Sequence, residues 1–180
     1  PVPMRIKYIS PDTDKYGQSF DLDGANSTVG WQGTSSLQYA VKNYKLKLKD
    51  NEGNKYKHII KPGVPETSTF CLKADYMESS HANNTGIASF VNDCVYDALN
   101  PPQQDNAEVR TSIAGFPIKL YINDTLMGVF NFNLDKGSKE CFGLTDDYPN
   151  CISIEVAANT DTTAGAFHKW SEDSGKTLID

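Results

Sequence analysis

The chain has 180 residues, 38% of them hydrophobic and 11% aromatic. That is enough for one core burying roughly two-thirds of the unfolded surface, and too apolar for a disordered chain. Seventeen Lys and Arg against 23 Asp and Glu give a net charge of −6, which argues against nucleic acid or an anionic membrane as the main partner. No apolar run approaches the ~20 residues of a membrane span. Pro1-Val2-Pro3-Met4 has neither the charged nor the apolar region of a signal peptide.

Met4 to Ile9 alternates and predicts a strand. Ser10 to Ser36 is polar and Gly-rich, too long for a structureless loop, so a strand or a functional segment is expected inside it. Tyr44, Leu46 and Leu48 alternate with Lys45, Lys47 and Lys49: a strand with one buried and one cationic face. Asp50 to Asn54 reads as a turn, and Lys55 to Ile60 as the returning strand of a hairpin. Thr69 to Ala74 reads as a further strand. Ile87, Phe90, Val91, Cys94, Val95, Ala98 and Leu99 recur at helical spacing, predicting one long helix with a buried stripe, ended by Asn100-Pro101-Pro102. Phe116–Ile122 and Leu126–Leu134 predict a hairpin turning at Asn123-Asp124-Thr125, with Leu126, Phe130, Phe132 and Leu134 on one face. Ile152, Ile154 and Val156 predict a last short strand. The predicted fold class is α+β: a twisted, mostly antiparallel sheet of about six strands with one long helix packed on it.

The four cysteines, Cys71, Cys94, Cys141 and Cys151, contain no C-x-x-C pair. With Cys94 on the helix stripe and Cys71 inside a strand, free thiols in a reducing compartment are expected.

Three blocks carry a resemblance. Gly30-Trp31-Gln32-Gly33-Thr34-Ser35-Ser36 with Lys42-Asn43-Tyr44-Lys45-Leu46-Lys47 comes first. Phe70-Cys71-Leu72-Lys73-Ala74-Asp75-Tyr76-Met77-Glu78 follows, and Leu120 through Asn131 is the third. In this order they resemble the N-terminal lobe of the CotH family, the spore-coat-type atypical protein kinases. The segment Tyr76–Gly86 looks most like the versions found in tailed-phage and prophage tail proteins. The resemblance divides the chain into an N-terminal strand and loop (1–26), a CotH-like α+β domain (27–158) and a polar tail (159–180) expected to lead into a missing C-terminal lobe. It implies a kinase N-lobe-like fold in a virion structural or tail-associated protein. That protein is made in the bacterial cytoplasm and acts in assembly or host-surface contact. The implied partners are other tail proteins or further copies of the chain. Where the family places a Glu after the third block, this chain has Leu134 and Asp135. The family's catalytic acids belong to a later lobe, so no catalytic residue is assigned.

An alternative is the nucleotide-gripping lobe of an atypical protein kinase, binding Mg-ATP, with catalytic acids beyond residue 180. Phosphoryl transfer needs cations and backbone donors on the phosphates. Gly33 and Ser35 would let the backbone approach, Lys42 and Lys45 would supply charge, and Glu78 would be a lysine partner. The spacing is not that of a P-loop. The plainer reading is that Lys45, Lys47 and Lys49 solvate a sheet face or blunt an edge, and that Glu78 and Asp75 favour a helix start. A second alternative is a carbohydrate-binding module for a host-surface glycan, with Trp31, Tyr39 and Trp170 as a platform. Asp12, Asp14, Gly17 and Asp23 fit an EF-hand loop only in part. His81 with Glu78 lacks a third metal ligand, so no metal site is assigned.

Overall fold

A computed structural model describes residues 1–92, 94 and 112–138. The strands are β1 (Val2–Tyr8), β2 (Phe20–Gln32), β3 (Asn43–Lys47), β4 (Thr69–Lys73), β5 (Gly115–Ile122) and β6 (Thr125–Leu134). The helices are α1 (Thr13–Tyr16), α2 (Asn83–Val91) and a 3₁₀ turn at Ser35–Gln38. The strands form one curled antiparallel sheet in the order β1-β2-β3-β4-β6-β5. The structure is mostly sheet.

Alternation puts one side chain in two on the core face. Phe20, Leu22, Leu46, Phe70, Leu72, Phe116, Phe130, Phe132 and Leu134 meet there, closed over by Leu48, Ile60 and Val64. Strand β4 is buried on both faces, since Cys71, pointing the other way, is also buried.

The long polar segment contains the 13-residue β2, as its length implied. Asn26 ties β2 to the turn at 50–54, its amide donating to Asp50 O and Asn51 O. Asp50 closes that turn by accepting from the amides of Glu52 and Asn54. The predicted strand at 55–60 is not a strand. It is held by two isolated bridges, Lys49 to Lys55 and His58 to Thr67, because Lys61-Pro62-Gly63-Val64-Pro65 follows at once and removes two backbone donors.

The hairpin turn at Asn123 and Asp124 has both residues at positive φ (50° and 62°), as a two-residue type I′ connection requires. Leu126 does not share the core face. The register shifts between Leu120 and Tyr121, Gly128 opposite takes φ 121°, and Leu126 is 54% exposed. A bulge adds one residue and so flips every side chain beyond it.

The predicted stripe of the helix is also corrected where it is described. Ile87 and Phe90 are 59% and 67% exposed, Cys94 is exposed, and the buried residue of α2 is Ala88. Polar ties set the rotation of the helix: Asn84 donates to Asp75, and Ser112 Oγ donates to Ala88 O at 2.9 Å. Cys71 and Cys94 are free thiols. The predicted helix beyond 94, the strand at 152–156, Cys141, Cys151 and the tail lie outside the described residues. No helix among the described residues is long and apolar enough to cross a membrane.

His58 is buried among the rings of Tyr8, Phe20, Tyr56 and Phe70. Its Nε2 has no hydrogen-bond partner among the described residues. Burial lowers its pKa below the ordinary 6.5. The unfolded chain therefore binds the proton first, and the contribution of His58 to stability is complete above about pH 6.5 and lost as pH falls toward the folded pKa. Thermal melts from pH 8 to pH 5 are expected to fall with a slope of up to about 1.4 kcal/mol per pH unit from this group. In His58→Phe that part of the slope should vanish; an unchanged slope would assign the acid sensitivity elsewhere.

Candidate functional site

Two neighbouring features collect the candidate residues. The first is a cleft of about 280 Å³ between the loop after β2 and the entry to α2. Ser36, Tyr39 and Asn43 line one side; Lys73, Asp75, Tyr76 and Glu78 line the other. Glu78 is committed to the helix. Its carboxylate accepts from the amides of Ser80 (2.8 Å), Ala82 (3.1 Å) and Asn83 (3.2 Å), and hydrogen bonds led by those of Ser80 pull its pKa down to about 2. No lysine pairs with it among the described residues. Its place at the helix N-terminus is the one the dipole favours.

Asp75 is held in the left-handed region, at φ 43°, by what surrounds it. Asn84 donates to one carboxylate oxygen, and the buried Asn131 donates to the other at 2.7 Å while also donating to His81 O at 2.8 Å. His81 Nδ1 donates to Ala74 O at 3.0 Å. His81 and Asp75 thus tie the α2 entry to β4 and β6. Among the described residues no group of three or more His, Cys, Asp and Glu is arranged to hold a metal ion. Asp12, from the partial calcium pattern, caps α1 by accepting from Asp14 N.

Gly33 takes φ 119°, and a Cβ there would lie 1.9 Å from Ser36 Oγ. Glycine is required by the fold of this loop, whatever binds beside it. Ser35 opens the 3₁₀ turn and is exposed. Lys42 does not reach the cleft. Its ammonium donates to Leu37 O at 2.7 Å and to Tyr39 O, and stands 6.0 Å from the centre of the Trp31 ring. It closes the turn from below, where three donors and a ring face satisfy a cation. Tyr39 stacks on Tyr76 with ring centres 5.5 Å apart. Trp31 is 69% exposed, and Trp170 lies outside the described residues.

The second feature is the polar face of the sheet beside the cleft. Lys45 Nζ pairs with Asp135 Oδ2 at 2.5 Å, with side chains 38% and 5% exposed. Cys71 Sγ donates to Asp135 Oδ1 at 3.6 Å. Burial, reinforced by the Asp135 charge, pushes the Cys71 thiol up to about 11, so it stays protonated and is no nucleophile. Strand order makes the cluster: Lys45 is the register partner of Cys71, and Cys71 of Asn133, two residues before Asp135.

The structure thus brings Glu78 and the Ser36 loop to one cleft, puts Lys45 on a carboxylate beside it, and takes Lys42 elsewhere. Sequence reading placed Asp75 beside Glu78 at the helix start but missed its ties to Asn84 and Asn131, and missed the pairing of Asp135. Asparagines at 131 and 133 within an apolar strand were the available signal, since a buried amide demands partners. No family model matches the chain, and the comparisons with curated proteins and with solved structures found no match.

Proposed function

We propose that the chain is a contact domain of a virion structural, tail-associated protein, with an N-lobe-like sheet and helix, that assembles with neighbouring tail proteins or further copies of itself and meets the host surface. The CotH-like blocks supply the virion part of this reading. The contact part is carried by one observation, the overhanging hairpin. Strand β4 pairs with β6 only over Asn131–Leu134, so among the described strands the far half of β5–β6 pairs with nothing but itself. That half exposes Tyr121 (56%), Leu126 (54%), Met127 (41%) and Val129 (43%). Exposed apolar residues in one group beside an unpaired edge are a surface for strand addition or apolar docking.

Sedimentation across a wide concentration range tests this. The native chain is expected to exceed the 19.9 kDa of a monomer or to co-sediment with the neighbouring tail protein, and Leu126→Asp/Met127→Asp is expected to abolish either association while melting normally. Association undiminished in that variant, or none in the native chain, would overturn the hairpin as the contact.

A second reading is favoured by the Lys45–Asp135 pair. A strand lysine held by a carboxylate beside a cleft is how a kinase lobe positions its phosphate-gripping cation. Titrating the same preparations with Mg-ATP separates the two readings. Saturable binding that Lys45→Met removes from a folded protein supports the nucleotide lobe, and heat-silent titrations leave the contact domain.

A further inference from the structure

Lysines 47, 49, 55 and 57 line one groove of about 310 Å³ away from the cleft, with Thr67, Ser68 and Thr69 on its wall. The alternation that buries Leu46 and Leu48 sends Lys47 and Lys49 to the other face. Strand β3 lies third in the sheet, so Lys47 does not blunt an edge. Lys49 and Lys55 are bridge partners, which places two ammonium stems about 5 Å apart at Cβ. Like charges directly opposite each other are destabilising. Glu66 pairs with Lys57 at 3.0 Å, but among the described residues no carboxylate lies within ion-pair distance of Lys47, Lys49 or Lys55. In a chain of net charge −6, three lysines without a carboxylate partner among the described residues, gathered on one concave surface, carry a repulsive cost that solvation alone does not require.

The chemistry of the groove narrows its occupant. All its cations are lysines; none is an arginine. Lysine ammoniums are compact point charges that suit tetrahedral oxyanions approached from several sides, whereas planar carboxylates favour the arginine fork. Hydroxyl groups at Ser68 and Thr69 add neutral donors at the wall. Lys47 and Lys49 stand about 7 Å apart along the strand, so one anionic group cannot satisfy the whole row. We propose that this groove binds a ligand carrying two or more tetrahedral oxyanion groups, phosphoryl or sulfuryl. The site is independent of the hairpin and of the nucleotide reading.

The full chain, titrated calorimetrically at low salt with inorganic tripolyphosphate and, separately, with a sulfated heparin tetrasaccharide, tests the site and identifies its source. At least one probe is expected to bind and to raise the melting temperature above that in sodium chloride of equal ionic strength. Lys49→Thr/Lys55→Thr is expected to weaken binding at least about tenfold. The variant itself should melt no lower than the native chain, because the opposed charges are gone, so lost binding is not lost folding. Arg5→Thr/Lys7→Thr removes the same charge from β1, where both side chains pair with aspartates, and should leave affinity within about twofold. Tripolyphosphate alone binding assigns a phosphorylated ligand, the saccharide alone a sulfated glycan, and both a general oxyanion site. Neither probe binding, or affinity that falls equally in the two double variants, overturns the proposal.

Discussion

Lys45→Met is expected to lower the stability of the domain by about 2 kcal/mol. Removing one member of a buried ion pair typically costs roughly 3–5 kcal/mol, because the other charge is left without compensation. Here the abandoned group would be Asp135, whose side chain is 5% exposed. The lysine it loses is 38% exposed, so water already screens the pair and the lower figure follows. The companion Lys45→Met/Asp135→Leu should regain most of the loss, since an apolar pair of similar volume needs no desolvation. Chemical denaturation of the native chain, both single variants and the double variant closes the cycle. A coupling near zero would mean that the contact is a surface pair of no energetic consequence. The thiol gives a second readout. In Asp135→Leu the pKa of Cys71 should fall from about 11 as the neighbouring charge disappears, yet stay above the ordinary value, because burial is the larger cause.

Phe70→Ala is expected to be the most damaging single substitution, at roughly 3–5 kcal/mol. Phe70 is fully buried in the middle strand of the core, pairing with Leu46 on one side and Leu134 on the other. Its ring lies 5.0 Å from that of Phe132 and 6.2 Å from that of His58. The cavity left behind is walled by strands on both sides, which cannot collapse into it without breaking register. By contrast Phe90→Ala, on the exposed side of α2, should change stability by less than about 0.5 kcal/mol. Equal losses at the two positions would mean that the apolar stripe of the helix is buried after all.

That contrast shows where sequence pattern reaches its limit. Period-two alternation in 44–48 and 126–134 is a local property of the backbone, and it predicted strands close to those found. The turn at Asn123-Asp124 was legible for the same reason: few residue pairs tolerate positive φ. The helix is different. Ile87, Phe90 and Val91 were read correctly as lying on one face. Which face meets the sheet was decided by Asp75, Asn84 and Ser112, groups far apart in the chain. The bulge at Gly128 had no signal beyond one glycine, and it moved Leu126 from core to surface.

The candidate site divides in the same way. Sequence indicated Gly33, Ser35, Lys42, Lys45 and Glu78 as residues of interest, because glycines, cations and a helix-start carboxylate carry local chemical meaning. It could not say what each would touch. Lys42 turned to backbone carbonyls three and five residues away, Glu78 to the amides of Ser80, Ala82 and Asn83 at the entry to α2, and Lys45 across β4 to Asp135. By itself the sequence determined the sheet of the expected α+β class, antiparallel with alternating buried and polar faces, since residue periodicity and turn chemistry act over a few bonds; the one long helix of that class is described only as the short α2, and the structure is mostly sheet. Only the tertiary structure decided the partners of the charges, the overhang of the hairpin and the gathering of four lysines in one groove. Strand order and register join residues dozens of positions apart, and no local pattern encodes which strand will lie beside which.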